Sequence, residues 1–247
     1  MKSVAGIIIG CVALWLVIDT GPVFAQRDEM PAGYPKTLEG ELQALLVKAR
    51  EGTPAPELLV RLSSTYFDLA DDWLKDDTKR IEAYEAGAKV AKQAYAIDDS
   101  NADAHFFHAV NLGSAALLKS AVNVVIVVNE VKRCVLHAIE LDPKHAPALQ
   151  MMGGLLIELP WFLGGDEKQA QAYLERAIAA DGNYTKARIL VARLYRKQGR
   201  VAEAKTQLEA VIRADRPHYR YVWERTYKPE AERLLRELTA KDASGSG

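Results

Sequence analysis

From about Glu57 onward, apolar side chains recur three and four residues apart in short runs separated by turn residues, the periodicity of amphipathic helices. Four of these runs end alike: Ala94-Tyr95-Ala96-Ile97-Asp98, Ala138-Ile139-Glu140-Leu141-Asp142, Ala177-Ile178-Ala179-Ala180-Asp181 and Val211-Ile212-Arg213-Ala214-Asp215. The closing aspartates lie 44, 39 and 34 residues apart. The last spacing equals the tetratricopeptide period of about 34 residues, and the others exceed it by roughly ten and five. Such a unit is two antiparallel helices that meet where side chains are small. In the fourth unit Ala192 and Tyr195 lie on the first helix, Gly199 makes the turn, and Ala204, Leu208 and Val211 lie on the second. In the third, Leu149, Met152, Gly153 and Leu156 face Ala170, Leu174 and Ala177. There the turn is Gly164-Gly165, with Asp166 as N-cap and Gln169 three residues on. The second unit offers His105, His108, Ala109 and Leu112, then Val131, Val135 and Ala138; the first is the loosest match, as terminal repeats are.

The pattern predicts an all-α, tetratricopeptide-type solenoid of helical hairpins, about four repeats over residues 57–216 with capping helices. An arm and capping helix occupy 26–56, carrying Leu38, Leu42, Leu45 and Leu46, and a C-terminal capping helix occupies 217–240, opening near Pro229. Residues 241–247 read as a flexible tail.

The first 25 residues break this pattern. Lys2 precedes 15 apolar residues, Val4 to Ile18, then Gly21, Pro22 and Val23-Phe24-Ala25, which reads as a signal peptide cut between Ala25 and Gln26 and places the chain in the periplasm. A retained anchor is the competing reading, but the run is shorter than the roughly 20 residues that span a bilayer. A third is lipidation of Cys11 within Ile8-Ile9-Gly10-Cys11, a lipobox by residue type set unusually early. Cleavage would leave Cys134 as the single thiol, so the fold stands without an internal disulfide.

Charge adds little. The chain carries 32 basic and 33 acidic residues, interspersed rather than gathered, which argues against nucleic acid as a partner.

The two departures from the period are where a specific function would be written. The ten-residue excess, within Leu112 to Val131, includes the run Ala121 to Val128, in which Val122, Val124, Val125, Ile126 and Val128 either deepen the core or line a cavity for an apolar small molecule. The five-residue excess is Leu159-Pro160-Trp161-Phe162-Leu163, whose Trp161 and Phe162 either staple the turn to its neighbour or are offered to a partner. Near the C-terminus Arg220, Tyr221, Trp223 and Arg225 either cover the open end of the last repeat or pair with carboxylates of a partner.

The motif Leu159-Pro160-Trp161-Phe162-Leu163-Gly164-Gly165-Asp166, followed by Ala170, Leu174 and Ala177, resembles the TatT family, the tetratricopeptide component associated with TRAP transporters. The resemblance covers about residues 88–238, and only this turn and its helix are distinctive. It implies a periplasmic, often lipid-anchored helical protein that associates with a substrate-binding protein.

Catalytic chemistry is not legible. His105 and His108 share a helix face with Asp103 nearby, but packing beside Phe106 and Phe107 accounts for them better than a metal does. Cys134 with His137 three residues on reads as an inert buried thiol. No phosphate loop and no nucleophile elbow is present. The expected function is therefore a non-enzymatic module, without cofactor or metal, that engages a periplasmic substrate-binding protein or another envelope protein and an apolar ligand; the alternative is a plain scaffold, and a second copy of the chain is a further candidate partner.

Overall fold

A computed structural model of the chain describes residues 32–244. The signal segment, Cys11 and the expected cleavage point lie outside them. Among the described residues ten helices of twelve residues or more follow one another: α1 (Leu38–Arg50), α2 (Pro56–Asp68), α3 (Asp77–Ile97), α4 (Ala102–Lys119), α5 (Ala121–Leu141), α6 (Ala146–Glu158), α7 (Glu167–Ala180), α8 (Thr185–Lys197), α9 (Val201–Ile212) and α10 (Lys228–Ser244). A π-helical turn, Leu69–Trp73, extends α2, and the turn Arg220–Val222 runs through a second π segment, Trp223–Tyr227, into α10. No strand occurs among the described residues. Because α10 continues to Ser244, residues 241–244 are helical where the composition predicts a tail.

The helices pair as α2–α3, α4–α5, α6–α7 and α8–α9, and each hairpin packs on the next. The small residues sit at the crossings. Ala170, Leu174 and Ala177 are fully buried, and a Cβ on Gly153 would lie 2.6 Å from Cγ of Leu174, so α6 and α7 approach this closely only because residue 153 has no side chain. Asn111 fills the same kind of notch against Gly87 and donates to the carbonyl of Phe107 (2.9 Å) and to Oγ of Ser63 (3.1 Å).

The recurring aspartates have a shared task. Asp98, Asp142 and Asp181 end α3, α5 and α7, and each side chain accepts the backbone N–H two residues on, from Ser100 (3.0 Å), Lys144 (2.9 Å) and Asn183 (2.8 Å). Each carbonyl then accepts the N–H three residues on. This Asx turn sends the chain from one hairpin into the next at a set angle. Asp215 stands apart, because α9 already stops at Ile212.

The chain ends cap the stack. α1 lays Leu38, Leu42 and Leu45 on Leu62 and Leu69, and α10 covers α9 with Ala231, Leu234 and Leu238. His218 folds back on the α7–α8 junction, its N–H reaching the Asn183 carbonyl (3.2 Å) and its Nδ1 lying 3.0 Å from Asp181.

Candidate interaction surface

The ten extra residues lengthen α4 to 18 residues and α5 to 21, whereas α6 has 13 and α7 has 14. Ser120 alone joins the long pair: its N–H donates to Ala116 (3.1 Å) while its Oγ accepts from the N–H (3.3 Å) and the amide (2.8 Å) of Asn123. At about 1.5 Å per residue, α5 is roughly 12 Å longer than the α6 that packs back along it, so its first two turns overhang. The side chains there divide. Val128 is 3% exposed and joins the core with Val131 and Val135, and Val124 and Val127 are half-buried, but Val122 is 68% and Ile126 71% exposed, with Val125 beside them on the same helical face. Of the two readings of this run, core or cavity wall, the core accounts for Val128 and not for Val122, Val125 and Ile126, which α6 is too short to cover.

The five extra residues form the turn at the far end of α6. Pro160 starts a short 3-10 segment, Trp161–Leu163, closed by Gly164 at φ +87°. The Gly165 N–H reaches the carbonyl of Pro160 (3.1 Å) and the Asp166 N–H that of Leu156 (2.9 Å). Asp166 caps α7 by accepting from the N–H groups of Lys168 and Gln169, as its spacing predicts. With the turn closed by its backbone, the aromatic rings are left outside it: Trp161 is 85% and Phe162 51% exposed, edge to face at 6.0 Å. They do not staple the turn. A Cβ on Gly164 would meet Nζ of Lys132, which places this turn beside the middle of α5, on the side of the helix that carries Val125 and Asn129. Of the nine exposed large apolar residues among those described, five come from the two insertions.

The C-terminal candidates behave differently. Trp223 is buried and donates Nε1 to the Val211 carbonyl (2.8 Å), closing the last repeat; Arg225 lies over the Tyr221 ring (5.2 Å); Arg220 pairs with Glu224 (2.8 Å) on the surface. Tyr221 meets Tyr34 edge to face at 5.1 Å. The phenols of Tyr34 and Tyr219 both donate to Oδ2 of Asp72, tying the N-terminal arm and the C-terminal cap to the tip of the first hairpin. Burial pushes the Asp72 carboxyl up, while these two phenols pull it back down. Beside it, burial and the Asp72 charge raise Asp71 to about 7, although the Tyr84 phenol (3.0 Å) and the charges of Lys186 and Arg80 oppose the shift. Sequence reading missed this cluster, since its members lie up to 185 residues apart.

The histidines are also redistributed. His108 bonds the Ala88 carbonyl and Glu130 (3.0 Å each), and Asp103 pairs with His145 (2.8 Å), whose other nitrogen caps α6. The set His105, His108 and Asp103 is therefore not a single site. Cys134 is fully buried and its thiol is pushed up by that burial, while His137 turns to Glu140 and Asp99 instead.

Against known proteins, the family described as regulator of microtubule dynamics protein 1-3 matches residues 23–159, more than half of the chain. The chain belongs to this family. A tetratricopeptide-repeat family matches the remainder of the stack, residues 163–224. Bovine (Bos taurus) regulator of microtubule dynamics protein 1 is 28% identical over 198 residues, which cover 73% of this chain and 61% of the relative. This regulator-family chain thus spans under two thirds of that relative's length. A thermophilic tetratricopeptide-repeat protein of Thermus thermophilus superposes with a TM-score of 0.58 over 79% of this chain and 91% of its own, at 17% identity. MamA gives 0.46 at 18% identity over 71% and 86%. The tetratricopeptide fold is supported by both routes; neither points to the TatT family in particular.

Proposed function

We propose that the chain is a non-enzymatic docking scaffold that binds a protein partner through the overhanging face of α5, Val122, Val125 and Ile126, together with Trp161 and Phe162. The observation that supports this is the concentration of exposed apolar side chains on the two insertions of an otherwise regular repeat stack. Apolar surface of this kind, rimmed by Lys132 and Asn129, gives binding energy when covered, and a tryptophan is a common anchor. Export belongs to the proposal and rests on the Val4–Ile18 run and the Ala25–Gln26 step; a chain that keeps Met1 in the cell overturns it. In its narrowest form, following the Leu159–Asp166 turn, the partner is a substrate-binding protein of an uptake system.

The name of the family supports a second reading, in which the partner is a microtubule. The experiment is affinity capture on the immobilised chain and on its Trp161→Ala and Ile126→Ser variants. A partner retained by the native chain and lost by both folded variants supports the docking face. Retention by both overturns it, and co-sedimentation with microtubules selects the second reading.

A further inference from the structure

We propose that Asp99, His105 and His137 form a binding site for one borderline divalent cation of the zinc class. The three come from different elements brought together by the second hairpin: Asp99 from the turn after α3, His105 from the start of α4 and His137 from the end of α5. The buried His105 points Nε2 outward, 3.2 Å from Oδ1 of Asp99 and 3.0 Å from its carbonyl. His137 points Nε2 to Oδ2 of the same carboxylate at 3.8 Å, and one ligating atom from each residue lies within 4.8 Å of the other two. Ligands about 2.0 to 2.2 Å from a tetrahedral zinc stand roughly 3.4 Å apart. The His105–Asp99 edge already meets this, and the remaining closure falls on Asp99 and His137, the two side chains nearer solvent.

Two supports orient the ligands. Tyr95 stacks on His105 with ring centroids 4.6 Å apart and planes 10° from parallel, so the ring cannot swing away. Glu140 accepts from Nδ1 of His137 at 3.1 Å, which leaves the lone pair on Nε2, facing Asp99. A carboxylate behind the imidazole is the usual outer-sphere partner of a metal-bound histidine. The site opens into a cavity of about 500 Å³ whose wall also holds Asn129, Lys132 and Arg133. That leaves room for water or an anionic group to complete the coordination, and the charges of Lys132 and Arg133 weaken the affinity for a bare metal ion.

Binding replaces the hydrogen bond from His105 Nε2 to the Asp99 carbonyl and moves the ring proton to Nδ1, a buried atom with no partner in the structure. The probe is Co²⁺, titrated into chain that carries no histidine tag and has been stripped with a chelator. One equivalent should give the visible absorption of a four-coordinate ion, displaced by one equivalent of Zn²⁺. Asp99→Asn and His137→Gln should each weaken binding about tenfold or more without changing the metal-free melting temperature, and Glu140→Gln should weaken it by a similar or smaller factor. His108→Gln should leave it unchanged, since His108 is bonded to Ala88 and Glu130. The proposal is overturned if no saturable one-to-one binding occurs at micromolar metal, or if the Asp99→Asn/His137→Gln double variant binds as the native chain does.

Discussion

The tip of the first hairpin and the tips of the second and third lie in comparable places in their repeats, yet they are finished in opposite ways. At the first, Asp72 is buried under Tyr34 from the N-terminal arm and Tyr219 from the C-terminal cap, and the half-buried Asp71 beside it is held by Tyr84 from α3. At the second and third, Ser120 and the Pro160–Gly165 turn close the backbone locally, and apolar side chains are left uncovered. A tip satisfied by its own backbone and capping bonds needs no cover, so its outer side chains are free to serve a partner. A tip that buries carboxylates must recruit donors from elsewhere, because an unpaired buried carboxylate costs more than the loop-closing entropy of bringing those donors in.

The sharpest way to break this contrast is to compare tip with body. Leu174→Ala, which empties the notch over Gly153, should cost about 2 to 5 kcal/mol of unfolding free energy, read by chemical denaturation. A loss below that of any tip variant would mean the hairpin crossings are not what holds the third unit together.

Next comes the pH dependence of the covered tip. Burial raises Asp71 from 3.8 in the unfolded chain to about 7, so the folded state holds a proton that the unfolded state releases between those values. Its contribution is complete below the unfolded value and disappears as pH rises through about 7, amounting to at most about 4 kcal/mol. The native chain should therefore lose stability relative to Asp71→Asn between pH 4 and 7. Parallel curves would remove Asp71 from this role.

Tyr219→Phe takes away one of the two phenol donors to Asp72 and should cost about 1 to 2 kcal/mol. It should also loosen the Tyr34 arm, seen as faster amide exchange around Leu38. The smallest effect belongs to the uncovered tip. Trp161→Ala should change stability by less than about 0.5 kcal/mol, since the ring is 85% exposed, and a drop comparable to Tyr219→Phe would show that it braces the fold after all.

Much of the fold was readable because it is written locally. Asp98, Asp142 and Asp181 each bond their own backbone two residues on, and Gly153, Ala170, Leu174 and Ala177 meet across one short hairpin. Asp166 with Gln169 capped α7 where the spacing put it. The surface was only half readable. The insertions stood out by their length, but the fate of Val122 and Ile126 depended on how far α6 runs back along α5, and that of Trp161 on whether the turn could close without it.

By itself the sequence determined the all-α repeat class, the junctions at Asp98, Asp142 and Asp181 and the two places where the period is broken, since periodicity and capping act over a few residues. Only the tertiary structure decided that the arm and the C-terminal cap share Asp72, that His105 stands with Asp99 and His137 rather than with His108, and that the insertions face outward. Those outcomes depend on distances between helices far apart in the chain, and such distances are set by the summed angles of every junction between them.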